Sequence, residues 1–160
     1  MMRFFKAISR CGAREEGSAL VELTLSLPFL CLMLLGAAEF ARLAYASIEV
    51  ANAAHSAAVY ASSTPTALAD IAGIKKAGGT DSPNLAGSNA ITVNDPTTVC
   101  ECSDGTSVAC TNNTTCSGSG LPMVTTVTVT TQSTFSPMVS LPGWNPTLTL
   151  KGKSSQVVSN

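Results

Sequence analysis

Residues 18–41 read SALVELTLSLPFLCLMLLGAAEFA, and this apolar stretch decides the fold. Between Leu23 and Ala38 it holds no charged residue over 16 positions, which would rise about 24 Å as a helix. With the apolar residues on either side, the length suits a hydrocarbon core of about 30 Å. The sequence therefore predicts a transmembrane helix over residues 18–41.

Basic residues precede the apolar stretch. Residues 1–17 carry Arg3, Lys6, Arg10 and Arg14 against two acids, Glu15 and Glu16. Because positive charge stays on the cytoplasmic side of a membrane, we expect residues 1–17 to be a cytoplasmic leader. The whole chain has a formal net charge of −1 and 12% charged residues, so we expect no basic face for nucleic acid.

Glu22 places a carboxylate near the cytoplasmic end of the apolar stretch. An acidic residue near the centre of a membrane helix costs about 2.5–3.5 kcal/mol, so a partner for it is expected. Cleavage after Gly17 would supply one, because the new α-amino group of Ser18 is a cation that can pair with Glu22 of a neighbouring copy. Two plainer interpretations stay open: an uncleaved membrane anchor, and a secretory signal peptide cut near residues 35–37.

Residues 42–62 are expected to extend the helix beyond the membrane. Apolar and small residues recur there every three or four positions, as in Phe40, Leu43, Ser47, Val50 and Ala54. Alanine is the best helix former, so the extension should hold as a helix and pack both on its own domain and on copies of itself. Glu39 and Glu49 are predicted to mark its polar side.

Residues 63–160 predict one small globular domain. A short helix is expected at 67–77, capped by Thr66 and stopped at Gly78-Gly79. Alternating β-branched residues predict strands at 90–93, 122–135 and 147–151, the last extending towards Val157 and joined to the second by residues 136–146. The fold class is therefore α+β: a long N-terminal helix, membrane-spanning in its first half, with a small antiparallel sheet packed on its second half.

Four of the six cysteines cluster in a loop rich in glycine, serine and threonine, residues 100–116: Cys100, Cys102, Cys110 and Cys116. The Cys-x-Cys start is not the usual zinc spacing and no histidine is near, so two disulfides are favoured over zinc or free thiols. We expect no metal or cofactor. Three pairings are open, and Cys100–Cys102 is disfavoured because its loop would be very tight. Crosslinks would replace a core that this loop lacks.

No catalytic site is apparent in the sequence. His55 is the only histidine and lies on the alanine-rich helix without a second ligand or nucleophile in view. Phosphate-binding glycine loops, metal-spaced carboxylates and paired catalytic acids are also missing from the sequence. We therefore expect that the chain is not an enzyme.

A known family shares several of these motifs. The chain resembles the TadE-like minor pseudopilins of the bacterial tight-adherence (Flp, type IVc) pilus in residues 16–22 (EGSALVE), 27–29 (LPF), 36–42 (GAAEFAR) and 51–54 (ANAA). The resemblance covers about residues 15–62. It is looser near the C-terminus, and residues 63–121 depart from it.

The resemblance implies that an inner-membrane prepilin peptidase cuts after Gly17, which makes Ser18 the new N-terminus and Glu22 the fifth mature residue. It implies a structural subunit for the initiation or tip of an adhesive pilus used in surface attachment and biofilm formation. The implied partners are the peptidase, a major pilin, other minor pseudopilins, an inner-membrane platform with its assembly ATPase, and membrane lipid. The alternative is an unprocessed, membrane-anchored extracytoplasmic adhesin or binding module.

The implied location is the bacterial inner membrane, with a single pass, a cytoplasmic N-terminus and an extracytoplasmic C-terminal domain. Incorporation into a surface pilus would follow from there.

Overall fold

The computed structural model describes residues 15–110, 115–117, 119–138 and 146–158 of the chain. The chain divides into two compact units, one ending at Ala41 and the other beginning at Arg42. Most of the predicted leader and Cys11 lie outside the described residues, as does most of the predicted connection at 136–146.

The first unit contains the beginning of helix α1, which runs over Glu15–Ser62. From Ser18 to Ala38 every side chain is exposed, including the large apolar ones. Two hydroxyl groups in this stretch bond within the helix: Thr24 Oγ1 donates to the carbonyl of Val21 at 2.9 Å, and Ser26 Oγ donates to that of Leu23 at 3.1 Å. By length and composition the helix qualifies to cross a membrane, and none of its apolar window is buried within the described chain.

Within the second unit, α1 buries a narrow face made mostly of alanine. The buried apolar positions recur at three- and four-residue spacing: Ala46, Val50, Ala53, Ala54, Ala57, Ala58 and Ala61. Alanine favours the helix and adds one side-chain carbon, so other elements can approach the helix backbone closely. The predicted continuation of the helix to residue 62 is confirmed.

Two short helices follow where the sequence predicted one helix over 67–77. Helix α2 spans Pro65–Ala69 and helix α3 spans Ile71–Thr80. Asp70 separates them because its carboxylate caps α3, accepting a hydrogen bond from the N–H of Gly73 at 3.0 Å. The single-helix prediction is wrong because this capping bond competes with a continuous helix.

Both ends of the predicted helix also differ. Thr64, not Thr66, caps α2, because its hydroxyl accepts from the N–H of Ala67 at 3.0 Å. Gly78 lies inside α3 rather than beyond its end. Packing explains this glycine, since a Cβ added there would lie 3.0 Å from the carbonyl oxygen of Ala53 on α1.

Five strands form one antiparallel sheet: β1 (Thr92–Val93), β2 (Thr97–Cys102), β3 (Ser107–Val108), β4 (Met123–Phe135) and β5 (Leu148–Val157). Strand β4 is central. Strand β5 pairs along one edge of β4. Along the other edge, β2 pairs with residues 123–128 of β4 and β1 with residues 131–132. Strand β3 pairs with the outer edge of β2. The strands predicted near 90–93, 122–135 and 147–157 correspond to β1, β4 and β5.

Strands β2 and β3 form a hairpin that begins three residues before the predicted cysteine-rich loop, 100–116, and occupies its first half. Cys100 pairs with Val108 across the hairpin and with Thr125 of β4 on its other side. The run Thr97-Thr98-Val99 is β-branched and so favours a strand, and β4 is long enough to pair with it. The loop prediction is therefore wrong for the first part of that segment.

The main core lies between the helices and the sheet. It joins apolar residues of α1, α3, β1 and β4 with one residue after β5: Ala57, Ala58, Ala61, Ile74, Val93, Val127, Val129 and Val158. Thr131 Oγ1 of β4 donates to the carbonyl of Val50 at 2.7 Å. Gly152 of β5 lies against the same carbonyl. The sheet therefore packs on the second half of α1, as predicted.

Candidate functional site

Gly17, Ser18 and Glu22 all lie in the first turns of the described part of α1. Ser18 and Glu22 are four residues apart, so they lie on the same helix face about 6 Å apart along the axis. Both side chains are exposed, and no atom lies within 4 Å of a Cβ built on Gly17. The described part of the chain therefore leaves these three residues uncovered.

Glu22 lies among apolar side chains that the rest of the described chain does not cover. Its neighbours Val21 and Leu23 are both more than half exposed. Among the described residues it makes no hydrogen bond or ion pair. A carboxylate in this setting is stable in water but costly in lipid, and the described part of the chain supplies no partner for it.

The clustered cysteines form two disulfides, Cys100–Cys110 and Cys102–Cys116, with Cα atoms 5.2 Å and 6.0 Å apart. This is the outcome that the sequence favoured over zinc or free thiols, and it leaves out the disfavoured Cys100–Cys102 pair. Cys100 and Cys102 lie two residues apart on β2 and thus on one face of the strand. Both bridges therefore leave the same face and tie β2 to the segment between β3 and β4.

The bridges organise a second, smaller core. Cys100, Cys102 and Cys116 are buried together with Met123, and the half-buried Val108 packs against them. None of these residues belongs to the main core between the helices and the sheet. The end of the sheet that carries the hairpin is therefore held by its own crosslinks.

Glu49 contradicts its predicted place on the polar side of the helix. It is only 6% exposed, and its Oε1 accepts a hydrogen bond from Nδ2 of Asn84. Its Oε2 is buried without a hydrogen-bond partner among the described residues. The sequence did contain evidence of this burial, because Ala46, Glu49 and Ala53 are three and four residues apart and so share one helix face. The charge of Glu49 favoured the opposite prediction.

The side of the extension opposite the alanine face carries the exposed large residues Tyr45, Ile48 and Val59, with the exposed polar residues Asn52 and His55 between the last two. The buried face, by contrast, is mostly alanine. A helix that packs only on its own domain normally has large residues inside and polar residues outside. These exposed apolar residues make this side of the extension a candidate contact surface.

Tyr60 and Asp70 form an exposed link between α1 and α3. The hydroxyl of Tyr60 donates to Oδ2 of Asp70 at 2.8 Å. The N–H of Gly73, followed by this hydroxyl, lowers the pKa of Asp70 from its ordinary value. The bond to Asp70 raises the pKa of Tyr60 in turn. The pair has a structural explanation in the cap of α3.

The remaining polar residues do not assemble into a reactive group in the described part of the chain. His55 is exposed on α1. Among the described residues there is no group of three or more His, Cys, Asp or Glu side chains placed to hold a metal ion. The notable features are thus the open N-terminal segment, the exposed apolar residues of the extension, the half-satisfied Glu49 and the crosslinked hairpin.

Comparison with known families matches residues 17–59 to the family described as TadE-like protein. The matched segment contains Glu22, the apolar stretch and most of the extension, and it ends before the sheet. No curated protein and no solved structure matches the chain.

Proposed function

We propose that this TadE-like chain is a minor pseudopilin, a structural subunit that starts or tips a tight-adherence pilus. A prepilin peptidase cuts it between Gly17 and Ser18 before assembly. The chain is then a substrate of that enzyme and not itself a catalyst. The observation that carries the proposal is the carboxylate of Glu22, which has no partner among the described residues and lies in an exposed helix segment that is otherwise uncharged from Ser18 to Ala38.

Charge pairing gives the cut a physical purpose. Two unit charges 4 Å apart attract by about 4 kcal/mol at an effective dielectric constant of about 20. This is of the same order as the cost of about 2.5–3.5 kcal/mol for an acidic residue inside a membrane helix. The ammonium group of Ser18 in one subunit can therefore offset the cost of Glu22 in the next, and it favours one register between the helices.

The extension supports assembly independently of Glu22. Tyr45, Ile48 and Val59 are exposed apolar side chains on one side of the extension. In the proposed filament this side packs on the helices of the major pilin and other minor pseudopilins. Before assembly, the subunit resides in the inner membrane with its N-terminus in the cytoplasm. The inner-membrane platform and its ATPase then recruit it into the pilus.

The N-terminus of the mature protein tests the proposal. The chain is purified from membranes and from sheared pili, and its first residue is read by N-terminal sequencing. The proposal expects a start at Ser18 in both fractions. A start at Met1 or Met2 in cells with an active peptidase would favour the unprocessed adhesin, and a start near Ala37 would indicate a secreted protein.

Two substitutions separate processing from assembly. Replacement of Gly17 by tryptophan should block the cut, so that the protein runs as a heavier band that still carries the leader. The helix has room for a larger residue at this position, so the substitution should not disturb the fold. Glu22→Gln should be cut and inserted normally but enter pili poorly. Thr24→Val, a nearby exposed position, is the control and should assemble normally. Normal piliation by Glu22→Gln at normal protein levels would contradict the role of the carboxylate.

A further inference from the structure

Glu49 has an unmet bonding requirement that the processing of the N-terminus does not explain. One of its oxygens accepts from Asn84, and the other is buried without a partner among the described residues. Buried carboxylates are normally paired with a cation or fully hydrogen-bonded, because desolvation of a lone charge is costly. The missing partner is therefore a donor, and a positively charged one would also balance the charge.

The carboxylate lies close beneath the surface. The amide of Asn84 that donates to Glu49 also lies 3.4 Å from the hydroxyl of Tyr45. Both Asn84 and Tyr45 are exposed. Exposed side chains change rotamer within nanoseconds, so Tyr45 can move aside while Asn84 still donates to Oε1 of Glu49.

An apolar border adjoins this point. Tyr45 and Ile48 are each 55% exposed. The cores of protein interfaces are enriched in aromatic residues and arginine and depleted of most other charged residues. A buried acid beside an exposed tyrosine therefore matches a basic side chain supplied by the partner.

We propose that Glu49 receives a lysine or arginine side chain from a neighbouring pilus subunit whose helix packs over Tyr45 and Ile48. The inference rests on the proposed function, because it requires a filament that brings such a neighbour. The charge of Glu49 favours a basic partner, because a cationic donor would both hydrogen-bond to Oε2 and neutralise the carboxylate. An apolar side chain packed at the same place would do neither. Glu49 would thereby add a second charge contact, outside the membrane, to the one proposed at Glu22.

The test uses the full-length chain in piliated cells, with a photoreactive phenylalanine derivative in place of Ile48. Irradiation should give an adduct with a pilus subunit, identified by mass spectrometry, whose crosslinked segment contains lysine or arginine. Glu49→Gln keeps the shape of the side chain but removes its charge, and it should lower the adduct yield about tenfold or more, since loss of a buried pair commonly exceeds that factor. Glu101→Gln, at an exposed position of β2, should leave the yield unchanged.

Thermal unfolding of the purified full-length proteins in detergent separates docking from folding. Glu49→Gln should melt at the same temperature as the unsubstituted chain or higher, because it removes an unpaired buried charge. A clear fall in melting temperature would assign Glu49 to the fold of the subunit and overturn the inference. A rise caused by calcium or magnesium in the unsubstituted chain but not in Glu49→Gln would also overturn it, by placing a metal ion there.

The two levels of proposal fail in different ways. An unchanged adduct yield in Glu49→Gln would overturn the inference and leave the pilus role intact. A chain that keeps its leader and gives no adduct with any pilus subunit would remove the proposed function, and the inference with it. Restored crosslinking when Glu49→Lys is combined with an acidic replacement of the partner's basic residue would support the pair directly.

Discussion

Gly152→Ala tests how closely the sheet approaches the helix. A Cβ at this position would lie 2.5 Å from the carbonyl oxygen of Val50 and 2.6 Å from Oγ1 of Thr131. The first of these atoms belongs to the backbone of α1, so it cannot rotate away. Strand β5 would have to move outward by several tenths of an ångström or more.

The expected loss of stability follows from two contributions. Overpacking of a filled site costs about 1–3 kcal/mol. The hydrogen bond from Thr131 to Val50, which lies in the same contact, contributes about 0.5–1.5 kcal/mol and would be strained or lost. Alanine regains about 0.5–1 kcal/mol because it is less flexible than glycine in a strand. The free energy of unfolding should therefore fall by about 0.5–4 kcal/mol.

The assay is urea-induced unfolding of the full-length chain in detergent, followed by proteolysis of the unfolded fraction. Gly79→Ala is the matched control, since no atom lies within 4 Å of a Cβ built at that position of α3. It should be neutral or slightly stabilising, because alanine favours helices. Equal stability of Gly152→Ala and the unsubstituted chain would show that β5 does not lie against the Val50 carbonyl.

Three further predictions concern the C-terminal unit. Gly78→Ala should destabilise relative to Gly79→Ala, because only Gly78 faces α1 closely; equal unfolding midpoints would contradict that contact. Removing the Cys102–Cys116 bridge by serine replacement should cost about 3 kcal/mol for a loop of this size, with hydrogen exchange rising in the hairpin but not in the main core; uniform loss of protection would mean a single cooperative core. Because the folded pKa of Asp70 is lowered, its stabilising effect is present above its unfolded pKa and is lost as pH falls below about 4, so the stability advantage over Asp70→Asn should shrink in acid; an advantage constant from pH 6 to pH 3 would rule this out.

The sequence predicted the elements whose signal is local. An uncharged run long enough for a membrane and an alanine-rich continuation identified α1, since both depend on consecutive residues. Alternation of valine and threonine identified β4 because a strand exposes its period of two in the sequence itself. The same kind of pattern at residues 147–151 identified β5, and the structure adds its pairing with β4.

The features that were missed depend on distant contacts. Strand β2 contains only a short β-branched run, and its assignment comes from pairing with β4, about 25 residues further along the chain. At Asp70 the chain can either continue one helix or end it and cap a second one. The second outcome is favoured where α3 packs against α1, and this packing cannot be read from the local sequence. Glu49 was assigned to the polar side by its charge, although its burial is decided by Asn84 and the loop that carries it.

The alanine face and the exposed apolar residues of the extension together explain why a charge can remain buried there. Small residues such as Ala53 and Ala57 let α3 and the sheet approach the backbone of α1, which satisfies the domain's own packing with little side-chain volume. The larger apolar residues are thereby left for the exterior, with Tyr45 and Ile48 close to Glu49. In a subunit that remained alone, this arrangement would leave apolar side chains exposed to water and one carboxylate oxygen without a hydrogen bond. Neither feature would stabilise the isolated subunit. In the proposed filament the same arrangement would form an interface with a charged anchor, so the assembly proposal explains the distribution of residues on this helix more fully than a solitary membrane anchor would.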